Sequence, residues 1–319
     1  MIEVLKETDF TFLGEKKTGK VRDIYIQPDP SSPSGQGRLV LISTDRHSSF
    51  DRIIAHIPWK GQVLNQISAW WFEQTKTIVP NHVLAVPDPN VMVGKKMKMV
   101  PVEAVMRGYL TGVTDTAIWT RYQKGERTFG GVTLPEGMKK NQKLPVPVFD
   151  PTTKEEGHDR TITPEQMIAE GLITKELFDE VRETATKLFS RGQEIAAKRG
   201  LILVDTKYEF GTDEKRNLVL IDEIHTPDSS RFWQMEGYEE GMAKGEQPKS
   251  FDKEFLRLWF KENCDPYKDV TLPDAPPELV EELSRRYIQM YEQLTGKKFV
   301  HGETPVIPRI ERNLKPYAI

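Results

Sequence analysis

Cysteine is nearly missing from this chain, with Cys264 standing alone among 319 residues. Without a second thiol there is no intramolecular disulfide and no thiolate metal cage, and the composition suits a reducing compartment. Long apolar runs are missing too, since nothing approaches the roughly 20 residues that a membrane-spanning helix needs. Nor is there an excess of positive charge. Lys and Arg total 45 against 48 Asp and Glu, for a net charge of −3 and a pI near 6.2, so no general basic field draws in nucleic acid or an anionic membrane. The opening segment Met1–Phe10 is too charged for a secretory signal. The expectation is a cytoplasmic protein with no nucleic acid and no membrane among its partners. The chain has no internal repeat, no low-complexity tract, no P-loop and no dinucleotide-binding glycine fingerprint.

What is present is ample core and one unusual pair of strands. Hydrophobic residues make up 37% and charged residues 29%, which suits a globular chain with two or three packed units. Leu201-Ile-Leu-Val-Asp-Thr-Lys-Tyr-Glu-Phe-Gly211 and Asn217-Leu-Val-Leu-Ile-Asp-Glu-Ile224 both read as strands. The polar segment between them begins with glycine, so the pair predicts an antiparallel hairpin. Side chains alternate across a strand, which places Asp205, Lys207 and Glu209 on one face and Thr206, Tyr208 and Phe210 on the other. Asp222 and Glu223 add carboxylate at the end of the second strand. Ionised groups following a fully apolar run must be paired or must bind a metal. Two arrangements meet that need: an internal Asp–Lys–Glu salt-bridge ladder, or a Mg²⁺–nucleotide site in which carboxylates hold the metal and a lysine offsets phosphate charge.

Elsewhere, residues 10–26 predict two strands joined by a turn from Gly14 to Gly19. Pro28–Gly37 predicts a surface loop and Arg38–Thr44 another strand opening into a loop at Asp45–Asp51. A helix is expected over Val63–Thr75, strands over 83–105, loop then helix over Gly108–Tyr122, and a long irregular stretch over 125–160. Thr163-Pro-Glu-Gln166 has the pattern of a capping box. Helices follow over about 174–199, Ser250–Asn263 and Pro277–Thr295, the last closed by Gly296.

Five further clusters carry chemistry. Gly19-Lys20-Val21-Arg22 could lay amides and cations over phosphates, or be a solvated basic turn. Thr44–Asp51 gathers Asp45, His47, Ser48, Ser49 and Asp51 past a strand end, a position where α/β sheets bind ligands, though His47 has no nucleophile beside it. Glu103 and Arg107 bracket an apolar run, and a guanidinium there suits a carboxylate or phosphate. Lys154, His158 and Asp159 share a loop that reads as an anion site with an acid/base pair, or as a mobile charged loop. Ser229, Ser230 and Arg231 could bind phosphate at the mouth of the hairpin.

Taken together these stretches resemble a known family. Leu201–Gly211 and Val100-Pro-Val-Glu-Ala-Val-Met-Arg-Gly-Tyr-Leu-Thr-Gly112 are similar to the two signatures of SAICAR synthase, an enzyme family of purine synthesis. Gly19–Tyr25, Thr44–Asp51, Pro151–Lys154 and Asp222–Trp233 fall in the family's order, so the resemblance spans nearly the whole chain. It implies an α+β fold in which a β-rich N-terminal domain (1–103) and a central α/β domain (104–248) enclose an ATP cleft of protein-kinase or ATP-grasp type, with C-terminal helices (249–319). The implied reaction joins L-aspartate to the carboxylate of carboxyaminoimidazole ribotide (CAIR), with ATP and Mg²⁺, in a monomer or homodimer.

The resemblance also implies roles. Glu209 and Asp222 would hold Mg²⁺ with Asp205 close by. Lys20 and Arg22 would cover the phosphates, Lys207 would face the transferring group, and Met99 to Glu103 would line the adenine pocket. Arg107, Arg231 and Ser230 would take the ribotide phosphate, and Lys154, His158 and Asp159 the imidazole ribotide. Asp45, Ser48 and Asp51 would lie on the side approached by aspartate. One departure is visible: Val113 stands where the family usually has a phosphate-contacting Ser, leaving Thr111 or a backbone amide to substitute. Two other readings use the same nucleotide site, a small-molecule kinase and a non-catalytic nucleotide sensor.

Overall fold

The protein's computed structural model describes residues 2–28, 37–114, 116–153, 162–251 and 254–319. In chain order the first elements are β1 (Glu15–Thr18), β2 (Arg22–Gln27), β3 (Arg38–Ser43), β4 (Arg46–Ser49) and β5 (Arg52–His56). Next come α1 (Lys60–Thr75), β6 (Val83–Asp88), β7 (Val91–Lys95) and β8 (Lys98–Tyr109). The middle holds α2 (Ile118–Gln123), β9 (Thr128–Phe129), β10 (Val132–Thr133), β11 (Lys143–Phe149), β12 (Thr152–Thr153), α3 (Pro164–Ala169) and α4 (Lys175–Ala197). The remainder is β13 (Leu201–Thr212), β14 (Leu218–Ile221), β15 (Ser230–Gln234), α5 (Tyr238–Lys244), α6 (Glu254–Asn263), α7 (Pro277–Thr295) and α8 (Val306–Leu314).

Two antiparallel sheets organise these elements. The N-terminal sheet has the order β1-β2-β3-β7-β6. The second runs β11-β8-β13-β14, with β12 on β8 and β15 on β13. The predicted hairpin is present: Glu209 faces Ile221 and Thr212 faces Leu218. Its second strand stops at Ile221, three residues short of the expected end, because Asp222 takes a left-handed backbone (φ 66°) that breaks the pairing. That turn aims the acidic pair back toward β2. Along β13 the alternation holds, with Tyr208 and Phe210 fully buried under α1 and α4 in the main core.

The N-terminal segment differs from expectation. Thr11–Leu13 is a 3-10 turn, β1 occupies the predicted turn, and the chain reverses at Gly19. The Asp45–Asp51 stretch is largely the β4–β5 hairpin, turned by Phe50 and Asp51 at φ 57° and 58°. Two positive angles match the right-handed twist of a two-residue hairpin, an arrangement unusual for a side chain as large as Phe. The stretch expected to be irregular contains β9 to β12, and residues 29–36 of the predicted Pro28–Gly37 loop lie outside the described residues. The capping box at Thr163 and Gln166 forms both its bonds, and Gly296 ends α7 in the left-handed region.

The first expected boundary crosses continuous structure. Position 103 falls inside β8, which pairs with β13 from Lys98 to Arg107. The C-terminal helices also part company. α6 and α7 pack on the main core, while Val306, Ile310 and Leu314 of α8 join Tyr25, Val40, Ile42 and Val91 beneath the N-terminal sheet. Arg309 of α8 clamps Asp88 with Nε and Nη2, at 3.0 and 3.1 Å, and reaches Asn90.

Candidate active site

The floor of the site is one face of β13, an interior strand of the second sheet, with its neighbours β8 and β15. Asp205 lies opposite Arg107 of β8 on one side and Arg231 of β15 on the other. Facing cross-strand positions bring charges together without loop entropy, so an acid between two guanidiniums is a consequence of register. Arg231 Nη1 donates to Asp205 Oδ2, while Arg107 Nε donates to Asp150 Oδ2 at 2.7 Å. Arg121 of α2 donates to the same Asp150 carboxylate.

Two residues along, Lys207 Nζ donates to Glu103 Oε1 at 2.7 Å and to Glu209 Oε1 at 3.3 Å. Glu103 and Glu209 are themselves register partners, so the lysine separates two carboxylates that would otherwise repel. Burial works against the ammonium, but Glu209, Glu103 and Asp222 outweigh it and raise the Lys207 pKa well above its usual value. Lys207 therefore keeps its charge throughout the physiological range.

The third part of the site joins the two sheets. Arg22 of β2 donates to Asp222 Oδ1, and its Nη2 lies 2.8 Å from Glu223 Oε2. Burial alone would lower the Arg22 pKa, yet Asp222 and Glu223 raise it, whereas burial pushes the Glu223 carboxyl upward. Lys20, two residues earlier, forms an exposed pair with Asp51. Among the described residues no preformed cluster of three or more metal ligands is present.

A cavity of about 220 Å³ opens over this floor, lined by Arg107, Asp205, Lys207, Ser230 and Arg231 together with Asp228 and Arg257. Thus Asp205, Lys207, Arg107, Arg231 and Ser230 meet at one cavity, with Glu103 and Glu209 bound to Lys207. Ser230 Oγ donates to Thr206 Oγ1 at 2.8 Å. Met99 stands half-exposed on β8 opposite Gly211. Glu103, in the stretch expected to line the adenine pocket, accepts from Lys207 through its side chain.

Asp45 does not face the cavity. It is buried, its Oδ2 accepting the Leu5 amide and its Oδ1 the Gly61 amide at 2.8 and 2.9 Å. Gly61 is required there, since a Cβ would lie 2.2 Å from the Ser43 carbonyl oxygen. Burial lifts the Asp45 carboxyl to about 6 against those amide bonds and the nearby Lys60. Its role is to pin the start of α1. Ser48 and Asp51 lie on the β4–β5 hairpin, and Lys154, His158 and Asp159 lie outside the described residues. The Thr111 hydroxyl donates to Asn141 Oδ1 at 2.7 Å, so its proton is already committed, and Val113 is 40% exposed.

Sequence reasoning missed Asp228 and Arg257, which line the cavity, and the two residues that hold Asp228. Lys60, fully buried, donates from Nζ to Asp228 Oδ2 at 2.7 Å, and Tyr287 Oη donates to Asp228 Oδ1 at 2.9 Å. Arg257 of α6 reaches the cavity from the C-terminal helices. Lys60, Tyr287 and Arg257 sit in no recognisable motif. Only the polarity of Lys60 at the head of an apolar helix hinted at a buried partner.

The chain is similar to several known proteins. The model of the SAICAR synthetase family matches residues 15–273. A phosphoribosylaminoimidazole-succinocarboxamide synthase of Legionella pneumophila (strain Paris) is 54% identical over 313 residues, covering 98% of this chain and 97% of that protein. The chloroplastic enzyme of the same name from Arabidopsis thaliana is 52% identical over 297 residues, covering 92% of this chain and 70% of its own length. Among solved structures, the SAICAR synthase from Saccharomyces cerevisiae complexed with SAICAR superposes with a TM-score of 0.78 at 35% identity, covering 93% of this chain and all of that one.

Proposed function

The chain belongs to the SAICAR synthetase family, and on that premise we propose how its residues divide the work of the reaction. The protein is an ATP-dependent ligase that joins L-aspartate to the carboxylate of CAIR, giving SAICAR, ADP and phosphate. Membership at this identity sets aside the kinase and sensor readings.

A carboxylate is a poor acyl donor, so the CAIR carboxylate oxygen first attacks the γ-phosphorus of ATP, and the bond to ADP breaks. The aspartate amine then attacks the carbonyl carbon of the acyl phosphate, loses a proton, and inorganic phosphate departs. Such chemistry needs alignment and charge neutralisation more than a protein nucleophile. The observation that carries the assignment is the row Asp205, Lys207 and Glu209 on β13, with Asp205 and Lys207 lining one cavity beside Arg107 and Arg231, and Glu103 and Glu209 bonded to Lys207.

In this reading Lys207 faces the transferring phosphoryl group and Lys20 and Arg22 cover the nucleotide phosphates. The backbone from Met99 to Glu103 runs along the adenine side. Arg107 and Arg231, with Ser230 beside them, take the ribotide phosphate, and Lys154, His158 and Asp159 contact the imidazole ribotide. Asp205 holds Arg231 in place. Ser48 and Asp51 border the approach of aspartate, from which the buried Asp45 is withdrawn.

The donor set also fits Mg²⁺. Glu209 and Asp222 offer hard oxygens, each now against a protein cation that supplies compensating charge, Lys207 for one and Arg22 for the other. Mg²⁺ is commonly held by one or two carboxylates plus substrate phosphates, which agrees with the lack of a preformed cage among the described residues. When bound, the ion would neutralise phosphate charge.

The test is ADP release with ATP, Mg²⁺ and CAIR, with and without L-aspartate, for the wild type and Glu209→Ala. Turnover that depends on aspartate and collapses in the variant is the expected result. Release indifferent to aspartate, or full activity in Glu209→Ala, would overturn the assignment.

A further inference from the structure

The turn that carries Lys20 and Arg22 is held from behind. Arg46, the first residue of β4, is buried, and its guanidinium is spread over four acceptors. Nε donates to the Lys20 carbonyl at 3.2 Å and Nη2 to the Gly19 carbonyl at 3.0 Å. Nη2 also meets Asp23 Oδ1 at 2.8 Å, and Nη1 donates to the Lys6 carbonyl at 2.7 Å. Two residues earlier, Thr44 takes the next carbonyl of the turn. Its amide and its hydroxyl both donate to the Val21 oxygen, at 3.0 and 2.8 Å.

Three consecutive carbonyls, those of Gly19, Lys20 and Val21, are thus drawn to the Thr44–Arg46 stretch. In a trans peptide the C=O of one residue and the N–H of the next point in opposite directions. The amides of Lys20, Val21 and Arg22 are therefore turned away from that stretch. Successive N–H groups on one side of a turn make an anion-binding concavity, and donors fixed beforehand need no reorganisation when the anion arrives. The turn has little packing of its own to keep this shape, since Gly19 and Val21 are only half-buried and Lys20 is exposed. A planar guanidinium supplies what is lacking, because its fork serves two adjacent carbonyls and a carboxylate at once.

Charge compensation of Asp23 does not account for this arrangement. That carboxylate already accepts from the Thr8 amide at 2.6 Å and the Thr8 hydroxyl at 2.9 Å, and Lys16 Nζ lies 3.5 Å away. Compensation would also leave Nε with no reason to be on the Lys20 carbonyl. We propose that Arg46 is a positioning residue for ATP, which fixes the Gly19–Arg22 turn so that its backbone amides meet the nucleotide phosphates. The proposal rests on the reading of Lys20 and Arg22 as the residues that cover those phosphates.

The test measures binding to the full chain by titration calorimetry with Mg²⁺ present, using ADP and adenosine as probes. Arg46→Lys keeps a cation beside Asp23 but cannot serve both carbonyls. It is expected to weaken ADP binding about 10- to 30-fold, while adenosine, which has no phosphate, moves less than about twofold. KM for ATP should rise by a similar factor, with KM for CAIR and for L-aspartate within about twofold of wild type. Thr44→Val removes one of the two donors to the Val21 oxygen. It should weaken ADP binding about 2- to 5-fold, and it decides the matter if Arg46→Lys does not fold. Equal losses for ADP and adenosine would mark a general disturbance of the cleft and overturn the proposal, as would unchanged ADP affinity in the folded variants. Lys20→Ala separates the proposal from the reading beneath it. If Lys20→Ala weakens ADP while Arg46→Lys does not, the proposal alone falls. If neither variant weakens ADP, the turn does not cover the phosphates and both fall.

Discussion

Lys60 and Asp228 stand 168 residues apart in sequence, yet Nζ of the one lies 2.7 Å from Oδ2 of the other, and the lysine side chain has no exposure at all. The pair ties the first turn of α1 to the loop that leads into Ser230 and Arg231, and Tyr287 of α7 completes it. Lys60→Met removes the cation from a buried carboxylate that Tyr287 Oη also contacts. The expected loss is about 3–5 kcal/mol of stability, read by urea denaturation, and Lys60→Met with Asp228→Asn together should be less damaging than Lys60→Met alone.

Lys207 separates Glu103 from Glu209 at the point where phosphoryl charge would develop. Lys207→Met should lower kcat about 10²- to 10³-fold in single-turnover ADP formation. A variant retaining more than about a tenth of wild-type kcat would remove Lys207 from that role.

Asp222 is oriented by a left-handed backbone and now faces Arg22. Asp222→Asn should raise the Mg²⁺ concentration for half-maximal ADP formation about 10- to 100-fold. An unchanged Mg²⁺ titration would move the metal elsewhere.

Arg309 of α8 is buried against Asp88 and Asn90 at the far side of the N-terminal sheet. Arg309→Met should destabilise the protein by about 3–5 kcal/mol while leaving KM for ATP, CAIR and aspartate within about twofold, as thermal melts and initial rates would show.

His225 is wholly buried against Trp71 and Tyr208, and burial drives its pKa down to about 3. The unfolded chain therefore takes up this proton first as pH falls below about 6.5, so the group's contribution weakens as the solution becomes acidic. His225→Gln lacks that proton. Its stability deficit relative to wild type should narrow by about 2 kcal/mol between pH 6.5 and pH 5 in urea melts.

Much of this was legible in the residues themselves. A strand period of two placed Asp205, Lys207 and Glu209 together before any coordinate was known, and glycine and polar residues marked the hairpin between β13 and β14. The start of α3, the extents of α4 and α7, and the Gly296 stop follow from caps and apolar spacing, which are local rules, whereas α1 begins three residues before the expected Val63. The family signatures added the reaction, because they occur in order along nearly the entire chain.

Other features depend on contacts between segments remote in sequence, which no local pattern encodes. That Asp45 binds two backbone amides, that Asp222 turns toward Arg22, and that Lys60 finds Asp228 are outcomes of packing one sheet against the other. The separation of α8 from α6 and α7 is of the same kind, since all three are amphipathic and only the available apolar surface decides where each one docks. The sequence alone thus determined which groups carry the chemistry and on which face of β13 they stand. Tertiary structure decided which partner each charge meets, because pairing across a cleft is set by the register and crossing of whole elements, not by neighbours along the chain.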